Sequence, residues 1–181
     1  MFVDRDGKFQ LGMLSTSAFK PLAASMGPML KEEAFHLGTG FNGLRRIIKA
    51  GVVPLDLLQR YINKWVSTAH DLFGVDASSS AHWAYVWGVK GRWDERKKLD
   101  AGIAVDKATL NEESRGHYHD EIVGEVRKLC GYLPDDATKL YVPDENFNRS
   151  IGTAKGKRFT VDGAPFEEAM MIGKNTYRPI Y

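Results

Sequence analysis

The stretch DRDGKFQLGMLSTSAFKPLAASMGPMLKEEAFH, residues 4–36, decides the fold of this chain. Its middle, residues 15–21, carries the Ser, Thr and Pro signals of a turn between two helices. Asp4 and Glu33 lie about equally far from this turn. Each helix of an antiparallel pair rises about 1.5 Å per residue, so these two residues lie at the same height along the pair. Glu33 and His36, at i and i+3, project from one helix face. The stretch predicts a helical hairpin that brings these three side chains together.

Asp4, Glu33 and His36 are candidate metal ligands. A Glu-x-x-His motif alone is weak, because a solvated polar face or a satisfied core histidine explains it as well. The residues around the pair are largely apolar: Met26, Met29, Leu30, Ala34 and Leu37. A buried carboxylate and imidazole are costly unless they are paired or bind metal. Oxygen and imidazole ligands without thiolate suit iron or manganese better than structural zinc. The pattern is that of ferritin-like di-iron carboxylate proteins.

Composition bounds the class of protein. The chain has 181 residues, 43% hydrophobic and 27% charged, which suffices for one globular domain with a core. The formal net charge of +2 is too small to argue for nucleic acid or an anionic membrane as partner, and neither is expected. The single cysteine, Cys130, excludes an internal disulfide and fits a reducing compartment. We find no membrane-length apolar run and no signal peptide, so a cytoplasmic location is expected.

The periodicity predicts an all-α fold with an irregular C-terminal tail. Helices are expected at about residues 1–14, 21–37, 54–73 and 119–133, and one from Ser78 through an aromatic segment ending at Trp93. Pro28 is expected to kink the second helix, and residues 38–40 to interrupt it. The apolar stripe of the third helix is expected to be core: Leu57, Leu58, Tyr61, Ile62, Trp65, Ala69, Leu72 and Phe73.

Two regions are expected along the chain. Residues 1–133 are predicted to form a partial helical bundle, and residues 134–181 an irregular extension that packs on it. The last forty residues lose helical periodicity and gain Pro, Gly and Asn. Within them, residues 158–163 carry the signals of a small β-hairpin. The aromatic residues between Trp83 and Trp93 are expected to fill a core, with the wall of an apolar pocket as the alternative.

Several ordered motifs resemble one known family, the oxygenase component B of benzoyl-CoA 2,3-epoxidase. They lie at residues 4–11, 32–36, 58–61, 71–74, 88–92 and 146–153. The resemblance implies a ferritin-like di-iron enzyme that uses O2 to epoxidise the ring of an aromatic acyl-CoA, benzoyl-CoA. It also implies that electrons come from NADPH through a separate reductase carrying FAD and an iron–sulfur centre. Carried over by position, it assigns iron ligation to Asp4, Glu33 and His36.

The resemblance also carries expectations about substrate contacts and completeness. Trp83 and Trp87 are expected near the aryl end of the substrate, Lys90 and Arg149 near phosphates of the coenzyme, and Asn148 in the same loop as Arg149. The family's other Glu and its second Glu-x-x-His would lie before Met1. We therefore expect the chain to be the C-terminal part of a longer protein and to be inactive alone. Phe35 departs from the polar residue expected beside His36.

Two alternatives remain open. Two copies of the chain related by a two-fold axis would supply two Asp, two Glu and two His, a complete di-iron ligand set across a homodimer. Such a protein could store or oxidise iron without an acyl-CoA substrate. The other alternative is a non-enzymatic helical scaffold, in which Glu33 has no metal to bind.

Overall fold

The computed structural model describes residues 1–91, 95–104, 109–137 and 139–143, with the backbone of 147–148, 153–154 and 157–158; the side chains of 95 and 96 are not described. This part of the chain contains six helices: α1 (Phe2–Leu14), α2 (Lys20–Ala50), α3 (Leu55–Phe73), α4 (Ser79–Val86), α5 (Glu95–Asp100) and α6 (Leu110–Cys130). It also contains three two-residue strands: β1 (Phe147–Asn148), β2 (Thr153–Ala154) and β3 (Lys157–Arg158). The prediction of an all-α fold is confirmed for these residues.

Helices α1 and α2 form the predicted antiparallel hairpin. Ser15 and Thr16 donate hydrogen bonds to the last free carbonyls of α1, at Gly12 and Met13, and so help to end the helix. Pro21 lies in the first turn of α2, where a missing N–H group breaks no helical bond. The turn between the helices is held by Ala18, whose N–H donates to the carbonyl of Gly88 at 2.7 Å.

Helix α2 is longer than predicted. It continues without interruption from Lys20 to Ala50, through Pro28 and through residues 38–40, so the expected end near residue 37 is wrong. Gly40 has a packing role instead: a Cβ there would lie 2.7 Å from both N and Cβ of Met1. The glycine lets the start of α1 approach the backbone of α2, and the helix ends only at Gly51, whose φ of 65° is left-handed.

The core lies where α1, α3 and α6 meet. α1 packs against α2, α3 and α6, and the ring of Phe9 meets that of Phe73 edge-on with centroids 6.3 Å apart. The central side chains are fully or almost fully buried: Phe9, Met13, Val66, Ala69, Phe73, Tyr118, Ile122 and Leu129. A short segment after α6 joins them, since Leu140 is buried and the side-chain amide of Gln59 in α3 exchanges hydrogen bonds with the backbone C=O and N–H of Tyr141.

Half of the predicted core stripe of α3 is exposed. Leu58, Ile62, Ala69 and Phe73 are buried as expected. The other four residues, Leu57, Tyr61, Trp65 and Leu72, are between 37% and 53% exposed. The polar residues Asn63, Ser67 and His70 are buried in their place. The face that contacts α1 and α6 is thus rotated from the centre of the hydrophobic stripe, because packing partners and not hydrophobicity alone select the buried face.

The segment from α4 to α6 differs from its prediction in three ways. Ser78 caps α4 as expected, accepting a hydrogen bond from the N–H of Ala81, but no residue of α4 is buried, so its aromatic residues do not form a core. The helix ends at Val86, and Trp93 lies outside the described residues. α6 begins at Leu110, earlier than expected, because the carboxylate of Asp76 caps its first turn from a distant part of the chain.

The C-terminal region is described only in short pieces. β1, β2 and β3 form an antiparallel sheet in that order, with Thr153 opposite Arg158. Most of the hairpin expected at residues 158–163 lies outside the described residues. The division into a bundle (1–133) and an extension (134–181) stays a prediction. Among the described residues, no helix is both long and apolar enough to cross a membrane.

Candidate metal centre

Three predicted ligands come together between α1 and α2. α1 places Asp4 in its first turn, and α2 places Glu33 and His36 on its facing side. One donor atom from each lies within 4.8 Å of the others. In the described part of the chain, this is the one group of at least three His, Cys, Asp or Glu residues so arranged. Asp4 and Glu33 are half-buried, whereas His36 is exposed, so the site opens toward solvent on the imidazole side.

The charges around Glu33 are unbalanced. Burial raises the pKa of its carboxyl group, and the neighbouring Asp4 carboxylate raises it further. His36 and the Met1 ammonium group oppose this shift, and His36 Nδ1 lies 3.9 Å from Glu33 Oε2. The Met1 ammonium group also contacts Asp4 Oδ2 and neutralises part of the negative charge. A cation held here would remove the remaining repulsion between the two carboxylates.

The residues of the site fit a metal ion such as iron. Glu33 Oε2 is buried and, among the described residues, accepts no hydrogen bond. A buried carboxylate oxygen without a partner is costly, and a metal ion would satisfy it. Two carboxylates and an imidazole, with no thiolate, are donors that iron and manganese accept. Metal binding itself stays a prediction.

The backbone of α1 makes room for the Glu33 carboxylate. A Cβ at Gly7 would lie 3.1 Å from Glu33 Oε1 and 3.2 Å from its Cδ. Gly7 stands one turn after Asp4, so both residues face α2 from the same side of α1. The carboxylate therefore lies in a recess that exists because residue 7 has no side chain.

The sequence reasoning missed Asp6, a buried carboxyl group next to the candidate site. Asp6 is 3% exposed, and burial raises its pKa to about 7. A hydrogen bond from Gln10 at 3.1 Å and the nearby Lys90 lower it, while Glu33 raises it. The spacing of Asp6 and Gln10 at i and i+4 on a helix was the available signal, but burial of this face is a tertiary effect.

The predicted substrate residues that the structure describes do not all line the same cavity wall at the start of α6. Lys90 lines a cavity of about 850 Å³ between the end of α3, α4 and the start of α6, and its Nζ donates to Asn111 Oδ1 at 2.8 Å. Burial lowers the pKa of Lys90, against the effect of Asp6 and Asp76.

Trp83 and Trp87 are not among the lining residues of this cavity. Their rings lie 5.6 Å apart, and the side chains are 49% and 68% exposed. Arg149 and the side chain of Asn148 lie outside the described residues.

The helical fold and the donor set resemble those of proteins that hold metal with carboxylate and histidine ligands between helices. The chain is 42% identical to benzoyl-CoA oxygenase component B of Aromatoleum evansii, in an alignment of 208 residues that covers 92% of this chain. This similarity confirms the resemblance that the motifs indicated. The chain spans 44% of the length of that relative. No family model matches the chain.

Proposed function

We propose that this chain is part of the oxygenase component of a benzoyl-CoA oxygenase, and that Asp4, Glu33 and His36 hold iron in it. The observation that carries the proposal is the convergence of their donor atoms within 4.8 Å, at positions that the sequence alone had selected. The similarity to benzoyl-CoA oxygenase component B supports the oxygenase role. The assignment of the iron ligands does not depend on the name of this relative, because it rests on the chemistry and geometry of the donor atoms.

In the proposed enzyme, Asp4 and Glu33 would hold iron through their carboxylates and His36 through its imidazole. A di-iron centre supplies activation of O2, for insertion of one oxygen atom into the ring of an aromatic acyl-CoA, with electrons from NADPH delivered by a reductase carrying FAD and an iron–sulfur centre. The chain contributes half of the ligand set. The half-buried positions of Asp4 and Glu33 limit the access of water on the carboxylate side.

Substrate binding is proposed at the five residues that their side-chain chemistry suggests for it. Lys90 presents a cation at the wall of the 850 Å³ cavity, which suits a phosphate group of a coenzyme. Trp83 and Trp87 offer an exposed aromatic pair for the aryl end of the substrate. Asn148 and Arg149 complete the proposed set. The name component B supports a further protein partner, which we propose to be the reductase.

The metal assignment is tested by anaerobic titration of the purified chain with Fe²⁺, with Glu33→Gln as the test variant. Glu32→Gln is the matched control, since Glu32 is the exposed neighbour outside the trio. We expect wild type and Glu32→Gln to bind Fe²⁺ and gain thermal stability, by about 2.7 kcal/mol at a hundredfold excess over Kd. Glu33→Gln should gain none. Equal binding by all three proteins would refute the assignment of Glu33.

A second candidate is a homodimer that completes the metal site between two copies. It is favoured by the open outer side of α2: Met26 and Ile48 are its buried residues, and the side chain of His36 is 53% exposed. Two copies facing each other there would bring six ligands together. Light scattering with iron analysis separates the candidates. Two irons per dimer would support the shared site, and a monomer with one iron or none would contradict it.

A further inference from the structure

We infer that Gly7 is a positioning residue of the metal site, which holds the Glu33 carboxylate in place by leaving a recess in the surface of α1. This inference rests on the proposed metal site and deepens it. It concerns a residue that donates no atom to a ligand set. Its role is to decide where a ligand can lie.

The contact at Gly7 involves the whole carboxylate group. A Cβ at this position would lie 3.1 Å from Oε1, 3.2 Å from Cδ and 3.6 Å from Oε2 of Glu33. The first two distances are shorter than ordinary van der Waals contact, which begins near 3.4 Å. The carboxylate therefore rests against the bare backbone of α1, and any larger residue would push it away by a few tenths of an ångström.

Three other glycines of the helical hairpin have open space instead, and Gly40 meets Met1 rather than a candidate ligand. Gly27, Gly38 and Gly43 of α2 have no atom of the described residues within 4 Å of the position of a Cβ. Glycine inside a helix is less favourable than alanine, because it loses more conformational entropy on folding. At Gly7 the missing side chain that causes this disadvantage also leaves the space that the Glu33 carboxylate occupies.

A displacement of this size matters for a metal ligand. Distances from a metal to its ligands are set within about 0.2 Å, so a shift of a few tenths of an ångström takes an oxygen out of range. Among the described residues, no hydrogen bond fixes Glu33 Oε2. The recess is thus a main restraint on this carboxylate, and residues that orient ligands typically change metal affinity about 10- to 100-fold when altered.

The test compares Gly7→Ala with Gly43→Ala in the full chain, using Co²⁺ as an absorbing probe. Both variants gain the same methyl group in a helix, but only one meets Glu33. We expect Gly7→Ala to keep or raise Tm, to bind Co²⁺ about tenfold more weakly and to change its visible spectrum. Gly43→Ala should bind as wild type does. Unchanged Co²⁺ affinity and spectrum in Gly7→Ala would overturn the inference.

Two further measurements identify the cause and separate the two proposals. In a Glu33→Ala background, Gly7→Ala should have no further effect on Co²⁺ binding; an undiminished effect would show that Gly7 acts elsewhere. Crystal structures of the metal-free proteins should show the Glu33 carboxylate of Gly7→Ala displaced from its position in wild type. An unmoved carboxylate would contradict the recess. If wild type and Glu33→Ala bind Co²⁺ equally or not at all, the proposed metal site fails and the positioning role falls with it. The crystal structures still decide the packing of Glu33 on Gly7.

Discussion

The carboxylate of Asp76 caps helix α6 at Asn111. Its Oδ1 accepts a hydrogen bond from the N–H of Asn111 at 2.8 Å, and its Oδ2 accepts one from the N–H of Glu112 at 2.9 Å. These N–H groups belong to the first turn of the helix, where no carbonyl precedes them to act as acceptor. The negative charge also complements the helix dipole. A residue between α3 and α4 thereby fixes the start of α6.

Asp76→Ala should lower the free energy of unfolding by about 1–2 kcal/mol, because two N–H groups lose their acceptor. Urea denaturation followed by circular dichroism measures this difference. Asp136→Ala removes an exposed carboxylate and is the control, with an expected change within about 0.5 kcal/mol. Equal stability of the two variants would show that water replaces the cap without loss.

Gly40→Ala should destabilise the hairpin of α1 and α2, whereas Gly43→Ala should stabilise it. A Cβ at Gly40 would lie 2.7 Å from the backbone N of Met1, which no side-chain rotation can relieve. A Cβ at Gly43 meets open space among the described residues, so alanine gains about 0.5–1 kcal/mol of helix preference. Thermal unfolding of both variants gives the signs. A stabilised Gly40→Ala protein would contradict the close approach of Met1.

The ion pairs of Glu121 predict a pH-dependent contribution to stability. Burial alone would raise its pKa, but hydrogen bonds from Lys8 and Arg5, both at 2.6 Å, outweigh burial and lower it from the ordinary value of 4.5. A carboxyl group whose pKa is lower in the folded state stabilises the fold above its unfolded pKa. This stabilisation is lost as pH falls through the folded pKa.

Glu121→Gln should therefore be less stable than wild type at pH 7, and the difference should shrink as pH falls below about 4.5. The unfolding free energies of both proteins, measured from pH 7 to pH 3, give this profile. Lys128 and Glu125 form an exposed pair in the same helix, so Lys128→Gln is a control with little expected effect. A difference that stays constant with pH would show that the ion pairs do not act through the charge of Glu121.

The hydroxyl group of Tyr118 predicts opposite effects for two substitutions. The side chain is fully buried between α1, α3 and α6, and its hydroxyl has no hydrogen-bond partner among the described residues. Tyr118→Phe removes an unsatisfied polar group and should raise the unfolding free energy by up to about 1 kcal/mol. Tyr118→Ala opens a cavity and should lower it by about 3–5 kcal/mol. Chemical denaturation checks both values, and a clear loss in Tyr118→Phe would reveal an acceptor outside the described residues.

Sequence alone was sufficient wherever the interaction is local. The turn at residues 15–21 and the end of α3 at Gly74 depend on residue types that act within a few positions. Asp4 and Glu33 lie at the same height along the helix pair. This follows from the rise per residue of a helix and from their similar distances from that turn. The helical class of the fold and the composition of the candidate site could therefore be predicted before any packing was known, whereas the bounds of α2, α4 and α6 could not.

What the tertiary structure decided is which faces are buried and which distant groups meet. Trp65 of α3 has the hydrophobicity of a core residue but remains exposed, since α1 and α6 pack on other faces of α3. Trp83 of α4 is exposed as well. The capping of α6 by Asp76 joins groups far apart in sequence, which no local spacing reveals. Glu33 likewise occupies the recess at Gly7 only because α2 packs against α1 there. Helical spacing selected the three candidate ligands, and long-range packing decided how their side chains are held.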